Sequence, residues 1–583
     1  MDKFLEQAEL ILENKLNFIH PWDMERCETV YSIPNSWNET PNGDDEWIYM
    51  RARLGYFDGL ILKYTLTKDI KYVEKIKEII SNFITHHKIL KYEKSTRTLD
   101  SGIRIVNILR VLIFFEKHKI DYDNLIVEHL SKTCDYLFDS YISKYDGSNW
   151  GFIQMAGVYS YALYFDDVKK KKESFKFLKK QLEMQILDDG LHWEKSQTYH
   201  YQIVIYLMFI IYISKIKNET CNIKFFLKYL KKTTISIENL HYPDNTQINF
   251  GDSDDNEIES ILSLAKCLLN EESVYKITNI SKMFIPDAVV KTKEKTKERK
   301  VASFLKSGYI HVFDDKFSFS TYSTPMSSSH THIDYLHFNY YYNKKIFVDN
   351  GRYTYTDSDI RNYLKSAYAH NSIIIDDTSA SKILGSWDYD NYQDVLPIDV
   401  INEKEGLILK LAIYDNVNNA LIQRHFINIE ENVLIINKIK CRGKHSIKML
   451  YNLYPNTKIE KLKNHILLND EIAFRVSEYS VTDGIYSPMY NKICKSKKIV
   501  VEKTFVDEYV EVNAILNKSV TFEDLQVYQG ENKVLDNRAK AYRLKTEKGS
   551  YIIFIKPNEI YEGQKVFHVQ GKPFYENVKI IKE

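Results

Sequence analysis

Through residues 1 to about 290, apolar side chains recur at three- and four-residue intervals, the spacing that lines one face of an α-helix. Runs of this kind predict helices over 72–90, 101–119, 124–145, 173–187 and 199–216, and the breaks between them carry Asp, Asn, Gly and Pro. Beyond residue 301 the pattern changes to short runs of β-branched and aromatic residues separated by turns. Strands are expected at 309–313, 317–322, 335–342, 407–414, 433–439, 447–453 and 551–555, as in a stacked-sheet domain. Between the two patterns lies KTKEKTKERK, residues 291–300, which reads as a linker or as a solvated loop or helix end. The division expected is a helical part at 1–290, a linker at 291–300 and an antiparallel β part at 301–583. No regular repeat is evident, although paired helices could still stack into a toroid.

Polar residues that this pattern does not require gather in 328–376. His330, His332 and Asp334 alternate with Thr331 and Ile333, so on a strand they would project from one face. Asp349 ends the apolar run 346–348 and precedes the turn signal Asn350-Gly351, and His370 precedes the β-branched run 373–375. Imidazole nitrogen with carboxylate oxygen suits zinc, and three protein ligands leave room for water or substrate. The group is therefore a candidate metal cluster; the alternative is a surface or hydrogen-bonded histidine pair.

The helical part holds further candidates. In Ser148-Asn149-Trp150-Gly151, Asn149 can donate two hydrogen bonds and Gly151 lets another backbone approach, though a helix cap accounts for the same Asn. The segment DDGLHWEKSQTYHY, residues 188–201, carries Glu194, Tyr199 and His200. A tyrosine in a dry site can give up and regain a proton, or simply pack with a satisfied hydroxyl. Arg104 could bind a carboxylate or brace its helix through an ion pair. The acidic run at 249–256 lacks the ligand spacing of an EF-hand and reads as a polar turn near a site.

Length and composition narrow the class. At 583 residues the chain exceeds one hydrophobic core, so two or three domains are expected. With 80 basic against 79 acidic residues there is no overall field to attract a nucleic acid, and an anionic substrate has to be held by a local site. The six cysteines form no CxxC pair and fit reduced thiols. No segment is expected to span a membrane. The opening MDKFLEQAELILENKLNF lacks the apolar core and cleavage site of a secretory signal. A cytoplasmic location is expected, or a periplasmic or secreted one for a chain already trimmed.

Taken together, the NWG at Asn149, the DG...E.S..YH pattern ending at Tyr199-His200, and HxHxD at 330–334 followed by VDNG and AHN resemble the heparinase II/III family of polysaccharide lyases. The segment Asn42-Gly-Asp-Asp-Glu-Trp47 and the residues around Arg104 also resemble its helical domain. The resemblance implies an incomplete (α/α) toroid followed by an antiparallel β-sandwich, with the active cleft between them. It implies cleavage of an acidic, uronate-containing polysaccharide by β-elimination. Asn149 would neutralise the uronate carboxylate, Tyr199 would protonate the leaving oxygen, and His330 would assist or perform C5 proton abstraction. Arg104, Glu194 and His200 would support substrate binding. His332, Asp349 and His370 match metal positions, implying a divalent ion such as Zn²⁺ in a structural role. Rival readings are a glycosidase using two of Asp189, Glu194 and Asp252, and an acidic-glycan-binding protein without turnover.

Overall fold

The computed structural model describes residues 1–557 and 566–583. α-Helices occupy the chain from Asp2–Leu12 to Asn279–Phe284, and strands dominate from Lys300–Phe304 onward. The helices pack pairwise around one continuous apolar core and curl into an incomplete (α/α) toroid. The predicted helices appear as Lys71–His86, Thr98–His118, Asn124–Asp139, Val168–Gln185 and Gln197–Ile216.

The helix Asn149–Tyr164 was hidden from periodicity because it has no polar face: every residue except Trp150 is buried. It begins at Ser148, whose hydroxyl accepts a hydrogen bond from the Trp150 N–H at 3.2 Å. It also crosses Thr98–His118 glycine to glycine. A Cβ on Gly157 would lie 2.4 Å from the Gly102 carbonyl oxygen, and one on Gly102 would lie 2.7 Å from Gln154 Cα. Only hydrogen atoms at both positions let the two backbones meet, and this contact fixes where the Asn149 end of the helix stands.

Gln197–Ile216 is long and apolar enough to cross a membrane, with a mean hydropathy of 1.3 over an 18-residue window. The same window is 83% buried within the toroid, as a core helix surrounded by other helices requires.

The β part is a sandwich of antiparallel strands. The runs 433–439 and 447–453 are one long strand, Asn432–Leu453, paired with Lys492–Asn517 and interrupted by a bulge between Cys441 and Lys444. Phe319, Phe338, Phe347, Phe426 and Tyr451 fill the space between the layers. The final residues build a separate four-stranded sheet that packs through Tyr542 and Ile553 against Ile408 and Leu434. Toroid and sandwich are joined by a shared cluster in which Leu240, Tyr242 and Phe250 pack against Tyr309, Tyr322 and Tyr341.

Gly157→Ala is expected to force the crossing helices apart and cost about 1–3 kcal/mol, the scale of an over-packed core. Denaturant unfolding checks this, and an unchanged midpoint would mean that the backbones are not in contact there.

Candidate active site

At the seam between the two parts, the acidic run at 249–256 reaches into the sandwich. The Asp252 carboxylate is buried and receives Arg361 Nη1 at 2.6 Å and Nη2 at 3.0 Å, His330 Nδ1 at 3.0 Å and His332 Nε2 at 2.9 Å. Its backbone N–H donates to the His330 carbonyl at 2.8 Å. Burial alone would raise its pKa, but Arg361 and the two imidazoles hold it well below the usual carboxylate range. An ionised carboxylate accepts only, so His330 donates to it from Nδ1 and His332 from Nε2, and the other nitrogen of each ring points away from it.

Beside this carboxylate lies a cleft of about 710 Å³ lined from both parts, with Tyr199, Glu194, Arg97 and Trp150 from the toroid and His330 and Trp387 among those from the sandwich. The Tyr199 and His330 rings stack with centroids 3.8 Å apart. The Tyr199 hydroxyl also meets the Tyr355 hydroxyl, to which Arg352 Nη1 donates at 2.6 Å. Arg352 is itself paired with Asp254, at 2.9 Å from both Nε and Nη2. Either hydroxyl can donate across this contact, and when Tyr355 does so the Tyr199 proton is free for the cleft. Burial, with Glu25 adding to it, pushes the Tyr199 phenol well above its ordinary value, so it is a proton donor at neutral pH.

Asn149, the first residue of its helix, donates from Nδ2 to Glu194 Oε2 at 2.7 Å, and its Oδ1 has no hydrogen-bond partner among the described residues. Arg53 and Arg97 converge on Asp100, at 2.7 and 2.5 Å, and both line the cleft. Arg97 also lies over the Tyr49 ring at 3.4 Å.

The residues His332, Asp349 and His370 form a second, fully buried group behind His330, with one ligand atom from each lying within 4.8 Å of the others. His370 Nδ1 is engaged by the Ser366 carbonyl at 2.8 Å and His332 Nε2 by Asp252. Of the remaining atoms, His370 Nε2 and Asp349 Oδ2 face each other at 3.2 Å, and His332 Nδ1 has no hydrogen-bond partner among the described residues. Buried polar atoms left open toward one another, with the opposite ring nitrogens tied down, fit a metal ion.

Glu194, Tyr199 and His330 thus line one cleft, and Asn149, fully buried, stands behind Glu194 as its hydrogen-bond donor. Arg104 and His200 do not line it, and both are corrected. Arg104 is buried in the toroid core, donating to the Ala52 and Ser95 carbonyls and to Ser101. His200 points one helical step away from Tyr199, to Thr233 and Ser236. His330, His332 and Asp334 lie on an irregular segment between strands Phe317–Tyr322 and Phe338–Tyr342, not on a strand. Of the three carboxylates considered for hydrolysis, Asp189 is bound to Ser307 at 2.7 Å, Asp252 is locked in its ion pair, and Glu194 alone lines the cleft. Arg97, Arg352, Tyr355, Arg361 and Trp387 carried no motif, since only the fold brings them to the seam.

No curated protein sequence matches the chain. Among solved structures, a heparinase III crystal structure is 15% identical, with a TM-score of 0.71 over 95% of this chain and 91% of that one. A heparan sulfate lyase from Pedobacter heparinus is 14% identical, with a TM-score of 0.62 over 96% and 90%. A chondroitin AC lyase from Streptomyces coelicolor A3 is 9% identical, with a TM-score of 0.55 over 95% and 89%. At such identities these show the fold, a helical toroid carrying a β-sandwich. Residues 17–272 match the family described as Heparinase II/III N-terminus, and 296–514 match Heparinase II/III-like, C-terminal. The chain belongs to the heparinase II/III family and is a polysaccharide lyase, breaking a carbon–oxygen bond in a uronic-acid-containing glycan.

Two buried histidines of the toroid make stability depend on pH. Burial holds His200 down to about 3 and His192 down to about 4, against an ordinary value near 6.5. The unfolded chain therefore takes up more protons, so their contribution is complete above about pH 6.5 and is lost as pH falls through the folded values. The denaturation midpoint at pH 5 is expected to lie below that at pH 7; equal midpoints would show that these rings are charged when folded.

Proposed function

We propose that the cleft cleaves its glycan by β-elimination at a uronate, with His330 as base and Tyr199 as acid. The observation that carries this is the stacked Tyr199–His330 pair at the cleft wall, its two proton states set by different partners. A C5 hydrogen next to an ionised carboxylate is weakly acidic, because removing it places a second negative charge on the same conjugated unit. Asn149, through its second amide hydrogen, and Arg97 oppose that charge as it develops. His330 Nε2 takes the C5 proton, and the C5–H electron pair becomes the C4–C5 double bond. The C4–O bond breaks with its electrons on the leaving oxygen, which takes the Tyr199 proton. The Tyr355 hydroxyl, backed by Arg352, steadies the phenolate until it is reprotonated. The raised pKa of Tyr199 favours this division of labour over one in which the phenol serves as both base and acid.

The group His332, Asp349 and His370 suits a divalent ion, and two nitrogens with one carboxylate oxygen match zinc. Such an ion supplies fixed positive charge and cross-links three segments of the sandwich. His330 lies two residues from one ligand, so the ion would hold the base in place without touching the sugar.

Tyr199→Phe is expected to slow release of the unsaturated product, followed by its enone absorbance, by about 10²–10⁴-fold without changing the fold. Near-normal turnover would remove Tyr199 from the chemistry, and reducing ends formed without the enone would mean hydrolysis. Chelation is expected to lower the unfolding temperature at least as much as the rate, and His370→Ala to abolish metal content. Metal retained by that variant would reject the ligand assignment.

A further inference from the structure

A second concavity, of about 400 Å³, lies on the outer face of the sandwich, and none of its lining residues is shared with the cleft. Its floor is built by three adjacent antiparallel strands, Gly406–Asp415, Ala420–Ile429 and Asn432–Leu453. In the observed register Lys410 faces His425, Gln423 faces Lys438, and Leu421 faces Lys440. Residues directly opposite, and residues two apart on one strand, share a face. Lys410, His425, Lys438 and Lys440 therefore stand on one side of the sheet.

Among the described residues their charge is only partly compensated. Asp399 is the one acidic residue among the described lining residues, paired with Lys410 at 3.2 Å. Lys440 meets Glu508 only at 3.9 Å. Lys438 has no carboxylate within 4.0 Å among the described residues, and its Nζ donates to the Pro557 carbonyl at 2.6 Å. The neighbours register this field: burial, then Lys410 and Lys438, hold His425 down to about 4, and burial with Lys440 lowers Lys438. A sheet face that keeps three lysines together around one hollow gives up stability to mutual repulsion unless an anion visits it.

The hollow is also tethered to the cleft. Tyr392 lines the cleft and Leu396 lines the hollow. Four residues of chain span at most about 14 Å, so the two sites lie within reach of one extended sugar chain. The cleft itself is mixed in sign, with Arg53, Arg97 and Lys144 set against Glu25, Glu46, Glu194 and Asp388.

We propose that the hollow lined by Lys410, Lys438 and Lys440 is a distal subsite that holds a further stretch of the same uronate-bearing polymer while one uronate occupies the cleft. This rests on the lyase reading for the nature of the ligand. The glycan carboxylates would sit over the lysines, and the tether would make the second contact intramolecular, raising affinity for long chains and leaving short ones unaffected.

The test uses the full-length protein with fluorescently labelled heparan sulfate polymer, a labelled tetrasaccharide cut from it and a single-stranded DNA of similar length. Lys410→Glu/Lys440→Glu is compared with wild type, and Lys410→Gln/Lys440→Gln serves if charge reversal disturbs folding. The expected result is polymer affinity about fivefold or more weaker in the variant, the scale of two lost solvent-exposed charge contacts, with tetrasaccharide affinity unchanged. The wild-type advantage for polymer should shrink as salt rises to about 0.15 M and beyond. Equal polymer affinity in the two proteins, or an equal loss for the tetrasaccharide, would overturn the subsite. DNA bound as tightly as the polymer and lost equally in the variant would also overturn it, as a general polyanion surface. Binding is read without turnover, so a wild type that releases no enone would sink the lyase reading and leave the subsite result standing.

Discussion

Everything at the centre of this molecule depends on three carboxylates in the stretch 249–256 that leave the toroid and end in the sandwich. Asp252 holds Arg361, Asp254 holds Arg352 at 2.9 Å through two nitrogens, and Asp255 takes Lys345 at 3.1 Å and the Tyr486 hydroxyl at 2.6 Å. Buried ion pairs contribute little net stability, because desolvating both charges offsets most of their attraction. Their effect lies in selectivity: sliding the sandwich along the toroid would strand several charges at once, at about 3–5 kcal/mol for each broken pair. The apolar seam of Phe250 against Tyr309 and Tyr322 supplies adhesion without a preferred register. The ion pairs supply the register.

The same constraint sets the chemistry. Asp252 is the shared acceptor of His330 and His332, so one carboxylate orients both the proposed base and a residue of the proposed metal group. Asp254 acts through Arg352 and Tyr355 on the Tyr199 hydroxyl. The proposed acid and base are therefore oriented by neighbours two residues apart on one turn, although Tyr199 stands in the first turn of the helix Gln197–Ile216 and His330 lies outside any strand or helix. A site assembled this way is stiff only while toroid and sandwich stay joined.

Much of this architecture was visible in the sequence, for reasons that differ by element. The strands Tyr309–Phe313 and Phe317–Tyr322 coincide with their apolar runs, and the helical and β parts differ plainly in period. Asn149–Tyr164 escaped notice because a helix buried on all sides has no periodicity to detect. The histidine alternation at 330–334 imitates a strand, but its backbone joins no ladder: the Thr331 N–H turns back to Ser328, the Ile333 N–H goes to Lys365, and the His330 carbonyl accepts from Asp252. Arg104 and His200 carried the right chemistry in the wrong direction: whether a polar residue on a helix faces a cleft or a neighbouring backbone is settled by packing. Tyr355, Arg352 and Arg361 had no local pattern, and their roles arise only from contacts across the seam.

The metal group belongs to this argument as well. His332 is tied to Asp252 on one ring nitrogen and offers the other to Asp349 and His370. An ion there would close a chain of fixed contacts running from the sandwich core, through His332 and Asp252, to the toroid. His330 hangs on the same carboxylate and the same short segment, so its lone pair is aimed by interactions that never touch substrate. Orientation is what the proposed base would need most, since a C5 proton would be removed only along one direction relative to the breaking C4–O bond. The buried ionic seam and the ion site thus act on a single quantity, the angular freedom of the His330 ring.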